Sequence, residues 1–312
     1  MALPEISVVV PVLNEAANVE ELARRLVNTL QTMGVDFEII LVDDGSTDAC
    51  PQRIREIHQQ DNRVKGLLFS RNFGQHHAIT AGLDHAQGMW VVVMDGDLQD
   101  LPEEIPQLYA RAQTGFDVVF ASRQLRQDSA FKRYSSRIFF KIFNFMTGLS
   151  PDPGVANFSI IHRRVVEPLR YMREAHRMYP FFVRWLGFRT DTVKVRHGAR
   201  HGGTTNYTLA RMLRLAVNSI ISNSNLPMSW AISVGMGISL LSVLMALWLV
   251  VRYLWWATPV PGWTSVMVSI IFFGGLSMAQ IGVMGLYMNR IYDEQKRRPL
   301  YIVRDRIGTP EP

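Results

Sequence analysis

The chain has 312 residues, 48% hydrophobic and 19% charged, with a net charge of +6 and a mean hydropathy of +0.05. That average conceals a division: charges are interspersed through the first two hundred positions but absent from Leu215 to Val251 and from Leu254 to Asn289, which excludes a uniformly polar protein. The single cysteine, Cys50, excludes an internal disulfide, and the positive excess flanks the apolar segments, which favours a membrane surface over nucleic acid as partner.

No cleavable signal peptide is visible, because Met1 to Ser7 lacks a basic region. Ile6 to Val12 is a β-branched run bounded by turn residues and reads as a buried strand. Asn14 or Asn18 is placed to cap the next helix, where Val19, Leu22, Leu26 and Leu30 recur at helical spacing. Phe37 to Val42 predicts the second strand, and Asp43-Asp-Gly-Ser-Thr-Asp48 is a turn into a helix with Ser46, Thr47 or Asp48 as its cap. Val64 to Phe69 predicts a third strand, Gln75 to Ala86 a helix, and Met89 to Met94 a fourth strand. Pro102 stands where a first helical residue would, and Asp100, followed by Pro102, Glu103 and Glu104, reads as that helix's N-cap. Phe116 to Ala121 predicts the fifth strand.

Strand and helix alternate, which predicts a parallel α/β sheet covered on both faces, with ligands beyond the carboxyl ends of the strands. Asn14, Glu15, Asp43, Asp44, Arg71, Asp95, Asp97 and Arg123 fall at those ends. Asp95 and Asp97 are one residue apart after a buried strand, and alternation of an extended chain would turn both to one side. Carboxylates there suit Mg²⁺ or Mn²⁺, which complete an octahedron with diphosphate oxygens and water.

Beyond residue 125 the pattern changes. Residues 131–146 wind into an amphipathic helix with Arg133, Arg137 and Lys141 on one side and Phe131, Ile138, Ile142 and Phe145 on another, the composition of an interfacial segment. Met228 to Val251 and Trp263 to Met288 are uncharged and, at roughly 1.5 Å per residue, long enough to cross a bilayer. Arg211 and Arg214 precede the first span, and Arg290, Lys296, Arg297 and Arg298 follow the second, so the positive-inside rule puts both termini in the cytoplasm. The expected organisation is 1–125 an α/β core with its acids at the strand ends, 126–225 a region with amphipathic interfacial helices, 226–290 two membrane helices and 291–312 a cytoplasmic tail.

Val-Pro-Val-Leu-Asn-Glu15, Asp-Asp-Gly-Ser-Thr-Asp48, Arg-Asn-Phe-Gly-Gln75, Asp-Gly-Asp-Leu-Gln-Asp100 and the two apolar segments together resemble the polyprenyl-phosphate glycosyltransferases of family 2, enzymes of GT-A fold. The resemblance runs from Ile6 to about Val303. It implies an inverting, metal-dependent transfer from a nucleotide-diphosphate sugar, UDP-linked in most bacterial relatives, to undecaprenyl phosphate at the inner membrane. The product would serve cell-envelope glycan or lipid A modification. Pro11, Glu15, Asp43 and Asp44 would hold the nucleoside, with Asn14 and Arg71 as further substrate-binding candidates; Asp95, Asp97 and Gln99 would hold Mg²⁺ or Mn²⁺ and the donor diphosphate. Arg123 and Arg133 match arginines that meet the lipid phosphate, Arg137 on the helix of Arg133 is a further substrate-binding candidate, and Arg200 matches an arginine on a loop over the donor phosphates. A homo-oligomer, a tetramer in similar enzymes, is implied as well.

The chain departs from the family at two places. Thr205-Asn206-Tyr207 replaces Ser-Lys-Tyr, and Asn157-Phe158-Ser159 replaces Asp-Phe-Arg, whose acid has been proposed as a base. A processive polysaccharide synthase is the rival enzyme, but Phe181 stands where its Gln-x-x-Arg-Trp motif needs glutamine before Arg184-Trp185. A non-catalytic membrane scaffold is the rival from another class and gives no reason to keep Asp95, Asp97 and Gln99 together. A dinucleotide oxidoreductase is disfavoured, since no glycine fingerprint follows the first strand.

Overall fold

The computed structural model describes residues 3–123, 155–175, 177–196, 198, 226–256 and 262–309. They belong to two compact units, one built from residues 1–133, 151–205 and 298–312 and the other from 134–150 and 206–297. The helix expected over 131–146, with Arg133 and Arg137, lies outside the described residues, as does Arg200.

The first unit is built on an eight-stranded sheet: β1 (Ile6–Val12), β2 (Phe37–Asp43), β3 (Val64–Phe69), β4 (Trp90–Val93), β5 (Val118–Arg123), β6 (Val155–His162), β7 (Thr190–Val195) and β8 (Val303–Ile307), in the order β7-β5-β6-β4-β1-β2-β3-β8. Its helices are α1 (Val19–Met33), α2 (Cys50–Gln60), α3 (Gln75–His85), α4 (Ile105–Gln113), α5 (Arg163–Tyr171) and α6 (Tyr179–Trp185). The centre follows the expected pattern, because a strand covered on both faces must be apolar throughout. All seven residues of β1 and of β2 are buried. Val8, Val10 and Val12 pack with Leu22, Leu26 and Leu30 of α1, while Val9 joins Ala78 and Ile79 of α3 on the opposite face.

The sheet is mixed rather than parallel. β3, β2, β1 and β4 run parallel, but β6 inserts antiparallel between β4 and β5, with Val93 opposite Ser159 and Phe120 opposite Ser159 from the other side. Two reversals leave β5 running the same way as β4, so Arg123 ends at the same edge as the residues after β4. The chain from Arg298 onward is no simple tail: β8 pairs antiparallel with β3, and Asp305 binds Arg55 of α2 at 2.9 Å. Tyr301 stacks on Phe69 with centroids 5.3 Å apart and donates to Asp84 at 2.7 Å.

The caps also differ from expectation. Asn18 takes the N-cap position of α1 without a capping hydrogen bond from its side chain, which donates instead to Glu15 at 2.6 Å. Asp48 lies one residue ahead of the α2 cap and accepts from the Cys50 N–H at 3.0 Å. Asp100 does not hold the N-cap position: Leu101 precedes the short 3₁₀ turn Pro102–Glu104, and the buried Asp100 carboxylate accepts from the Asp95 N–H at 3.1 Å.

The second unit contains α7 (Leu226–Trp256) and α8 (Trp263–Gln295). Gln280 of α8 donates to the Ala231 carbonyl of α7 at 3.2 Å. Trp230, Ile232, Met236, Leu240, Leu244 and Trp248 of α7 are exposed, as are Ile270, Phe272, Met278 and Ile281 of α8. Among the described residues no helix is long and apolar enough to cross a membrane. Side chains at 239, 242, 243, 246, 249 and 250 lie outside the described set.

Candidate functional site

The loops after β1, β2, β3 and β4 meet at the carboxyl edge of the sheet, and their own side chains tie them together. Asn14, in left-handed conformation at φ 56°, donates its N–H to Ser46 Oγ at 2.8 Å and accepts from the Thr47 N–H at 2.9 Å. Asp48 accepts from the Ala16 N–H at 3.0 Å. Asn14 is therefore a fastener between two loops. Glu15 is half-buried beside it, and Pro11 is buried within β1 opposite Val42.

Asp43 and Asp44 are adjacent but differ in task. Asp44 is buried and accepts from the N–H groups of Phe73 and Gly74 at 2.7 and 2.9 Å, which fastens the β3 loop to β2. Burial raises its pKa, and those two hydrogen bonds oppose the rise. Asp43 is fully buried; one oxygen accepts from the Ser46 N–H at 3.2 Å, whereas Oδ1 has no hydrogen-bond partner among the described residues. Its pKa is likewise raised by burial, with Ser46 opposing. A buried acceptor without a donor is costly unless a ligand supplies one. Gly45, next in sequence, has φ 75°, and a Cβ there would lie 2.4 Å from the Arg71 carbonyl carbon. Arg71 itself is exposed and lies over the Phe73 ring, 4.0 Å from its centroid.

Past Val93 the chain leaves the extended conformation, so strand alternation does not set Asp95 and Asp97. Hydrogen bonds do. Asp95 Oδ1 accepts from Gln75 Nε2 at 2.7 Å and from Asn157 Nδ2 at 3.1 Å. Asp97 accepts from the Gln99 N–H at 3.1 Å, and Leu98 between them has φ 60°, a conformation that a bulky side chain adopts only under constraint. The Gln99 carbonyl accepts from the Gly198 N–H at 2.9 Å, and the Gln99 side chain is buried. Glycine is required between the aspartates, since a Cβ on Gly96 would lie 2.8 Å from Val12 Cγ1 and 3.0 Å from the Pro11 carbonyl oxygen.

Asp43 and the Asp95–Gln99 loop thus flank the end of β1, one following β2 and the other β4. Among the described residues no three His, Cys, Asp or Glu side chains group to hold a metal. Two carboxylates fit a hard octahedral cation that takes its remaining oxygens from substrate and water, and do not fit an all-protein metal cage. Arg123 closes β5 at the same edge, its side chain outside the described set. Sequence reasoning missed Gln75 and Asn157 as partners of Asp95; the one was read as a helix start and the other as a lost acid.

Residues 7–170 match the family model described as glycosyl transferase family 2. A bactoprenol glucosyl transferase of Shigella phage SfV is 34% identical over 302 residues, spanning 96% of this chain and 98% of that protein. The undecaprenyl-phosphate 4-deoxy-4-formamido-L-arabinose transferase of Shewanella sediminis is 32% identical over 303 residues, with 96% and 92% covered. In fold the chain is similar to glucosyl-3-phosphoglycerate synthase of Mycobacterium tuberculosis, solved with Mn²⁺, UDP and phosphoglyceric acid, with a TM-score of 0.52, 20% identity and coverage of 70% and 78%. The mixed sheet with its acidic carboxyl edge is that of a GT-A fold, and the chain belongs to glycosyl transferase family 2.

Proposed function

We propose that the protein is a membrane-bound, inverting glycosyltransferase that moves a sugar from a nucleotide-diphosphate sugar to a polyprenyl phosphate. The observation that carries this reading is the pair of acidic features flanking β1: a buried Asp43 oxygen without a donor among the described residues, and the Asp95–Asp97 loop. Asp43 accepts an N–H from the nucleobase, and the imide of uracil offers one. Asp95 and Asp97 face the diphosphate. A divalent ion, Mg²⁺ or Mn²⁺, would be held there and would supply the positive charge that the leaving diphosphate needs. The names of the two relatives support a polyprenyl-phosphate acceptor.

Asn157 bears on the absence of a base. It donates to Asp95 and takes no proton at neutral pH, so it deprotonates nothing. The acceptor needs no deprotonation, because a phosphate monoester with a second pKa of about 6 is already largely dianionic. The protein's task is to hold two anions in line while the anomeric carbon inverts.

α7 and α8 are read as the two membrane spans. Their sequences carry uncharged runs of 24 residues from Met228 to Val251 and 26 from Trp263 to Met288, and their large apolar side chains are exposed. The chain leaves the sheet after β7 and returns to it at β8, which agrees with an even number of crossings. The flanking arginines and lysine support, by the positive-inside rule, a cytoplasmic sheet at the bacterial inner membrane.

Purified full-length protein given labelled nucleotide sugars, undecaprenyl phosphate and Mn²⁺ should yield a labelled lipid, and Asp97→Ala should abolish it. No lipid-linked product with any common donor, or full activity in Asp97→Ala, would sink the reading.

A further inference from the structure

The Asp95 carboxylate is one member of a hydrogen-bond circuit that extends well behind the site. Gln75 and Asn157 both donate to Asp95 Oδ1, at 2.7 and 3.1 Å. The Asn157 backbone carbonyl accepts from Ser159 Oγ at 2.9 Å, and Ser159 Oγ lies 2.8 Å from the Tyr179 hydroxyl. Ser159 has a single proton, and it points to Asn157, so Tyr179 is the donor to Ser159. Tyr179 in turn gives its backbone N–H to Nδ1 of His76 at 3.4 Å, and His76 is bonded in sequence to Gln75. The circuit closes on itself through α3, the β4 loop, β6 and α6.

Each member has its proton where the circuit needs it. Ser159 is fully buried and Tyr179 nearly so. Burial pushes the Tyr179 phenol up, which keeps it a donor, and pushes His76 down to about 4, which keeps Nδ1 an acceptor. Ser159 lies opposite Val93 at the end of β4, where alanine would fit, and Tyr179 packs in the apolar cluster on one face of the sheet, where phenylalanine would fill the same space, so neither hydroxyl is needed for packing. A buried polar network is favourable only when satisfied throughout, and it then fixes the atoms at its ends.

We propose that Tyr179 and Ser159 are positioning residues for Asp95, acting through Asn157 to hold the carboxylate in the orientation in which it receives the donor's metal–diphosphate group. The inference rests on the donor-site reading above. Groups in direct contact with a ligating carboxylate change metal affinity by about 10-fold or more when removed, and groups acting one step further out by less, whereas a residue that serves only stability changes melting temperature alone.

The test measures Mn²⁺ affinity in the presence of saturating UDP, by calorimetry on the full-length protein in detergent. Tyr179→Phe and Ser159→Ala should each weaken Mn²⁺ binding about 3- to 10-fold, one hydrogen bond's effect, with UDP affinity measured without metal unchanged. In an Asn157→Ala background the further loss from Tyr179→Phe should be under about twofold, since contacts in one network are not additive. Ser159→Thr, which retains the hydroxyl, should recover most of what Ser159→Ala loses. Wild-type Mn²⁺ affinity in both Tyr179→Phe and Ser159→Ala would overturn the proposal, as would full multiplication of the Tyr179→Phe and Asn157→Ala effects. If Asp95→Ala binds Mn²⁺ and UDP like the wild type, the donor-site reading itself fails and the proposal with it; loss in Asp95→Ala alone isolates the failure to the circuit.

Discussion

The side-chain amide of Asn157 donates to the carboxylate of Asp95 across 3.1 Å, so the position where the family pattern has an acid is occupied here by a neutral donor that orients one. Ser159, two residues on, is fully buried and continues the same set of hydrogen bonds. Asn-Phe-Ser is thus coherent as a unit, with no carboxylate at 157 requiring an arginine at 159.

Asn157→Asp tests this directly. Two carboxylates at that separation cannot both ionise readily, so one retains a proton and the pKa of the pair rises. The variant should need about 10-fold more Mn²⁺ for half-maximal activity at pH 7. An unchanged metal requirement would show that Asp95 tolerates a charged neighbour and is not oriented by the amide.

Gly45→Ala tests the fastening of the β2 and β3 loops. With φ at 75° and a Cβ 2.4 Å from the Arg71 carbonyl carbon, the substitution strains the backbone and forces the two loops apart. Destabilisation of roughly 2 to 4 kcal/mol is expected, read as a lowered melting temperature. Donor-nucleotide affinity should fall with it, because Asp43 and Asp44 move with the loop.

His76 should give stability a pH dependence. Its folded pKa of about 4 lies below the value of 6.5 that it takes up when exposed, so between these values the unfolded chain binds the extra proton. The contribution is complete above pH 6.5 and is lost as pH falls through about 4, to an extent of roughly 3 kcal/mol at most. His76→Asn keeps an acceptor but does not titrate, and its melting temperature should fall less between pH 7 and 4.5 than that of the wild type. Equal slopes would show that His76 titrates normally in the folded protein.

Truncation before Val303 removes β8 and leaves the edge of β3 open. The shortened protein should aggregate or unfold at markedly lower temperature, measured by size-exclusion profile and thermal melt. Asp305→Ala is the control: it breaks only a half-exposed ion pair with Arg55 and should cost less than about 1 kcal/mol.

What the sequence disclosed follows from burial. β1 to β4 lie at the centre of the sheet and are apolar on both faces, so runs such as Ser7-Val-Val-Val10 are visible without a partner. β7, Thr-Asp-Thr-Val-Lys-Val195, and β8, Val-Arg-Asp-Arg-Ile307, are edge strands with polar outer faces, and neither looks unlike a loop. The antiparallel insertion of β6 was hidden because it depends on pairing between distant segments, to which periodicity is blind. At the site, Asp43, Asp44, Asp95 and Asp97 were legible as acids after strands. Their division of labour was not: that Asp44 fastens a loop while Asp43 keeps an oxygen unpartnered is decided by backbone N–H groups at Phe73 and Gly74, which no side-chain pattern reports.

The placement of β8 also sets the order of events on the ribosome. A nascent chain that has reached residue 196 contains seven of the eight strands, yet its β3 edge must wait while α7 and α8 are translated. At about 5 to 20 residues per second the wait lasts roughly 5 to 20 seconds, long enough for an open strand to recruit a neighbouring chain. β8, the last of the described strands, is therefore the one that ends this exposure, and a chain that stalls in either long helix is left with an open edge as the mark of its incompleteness.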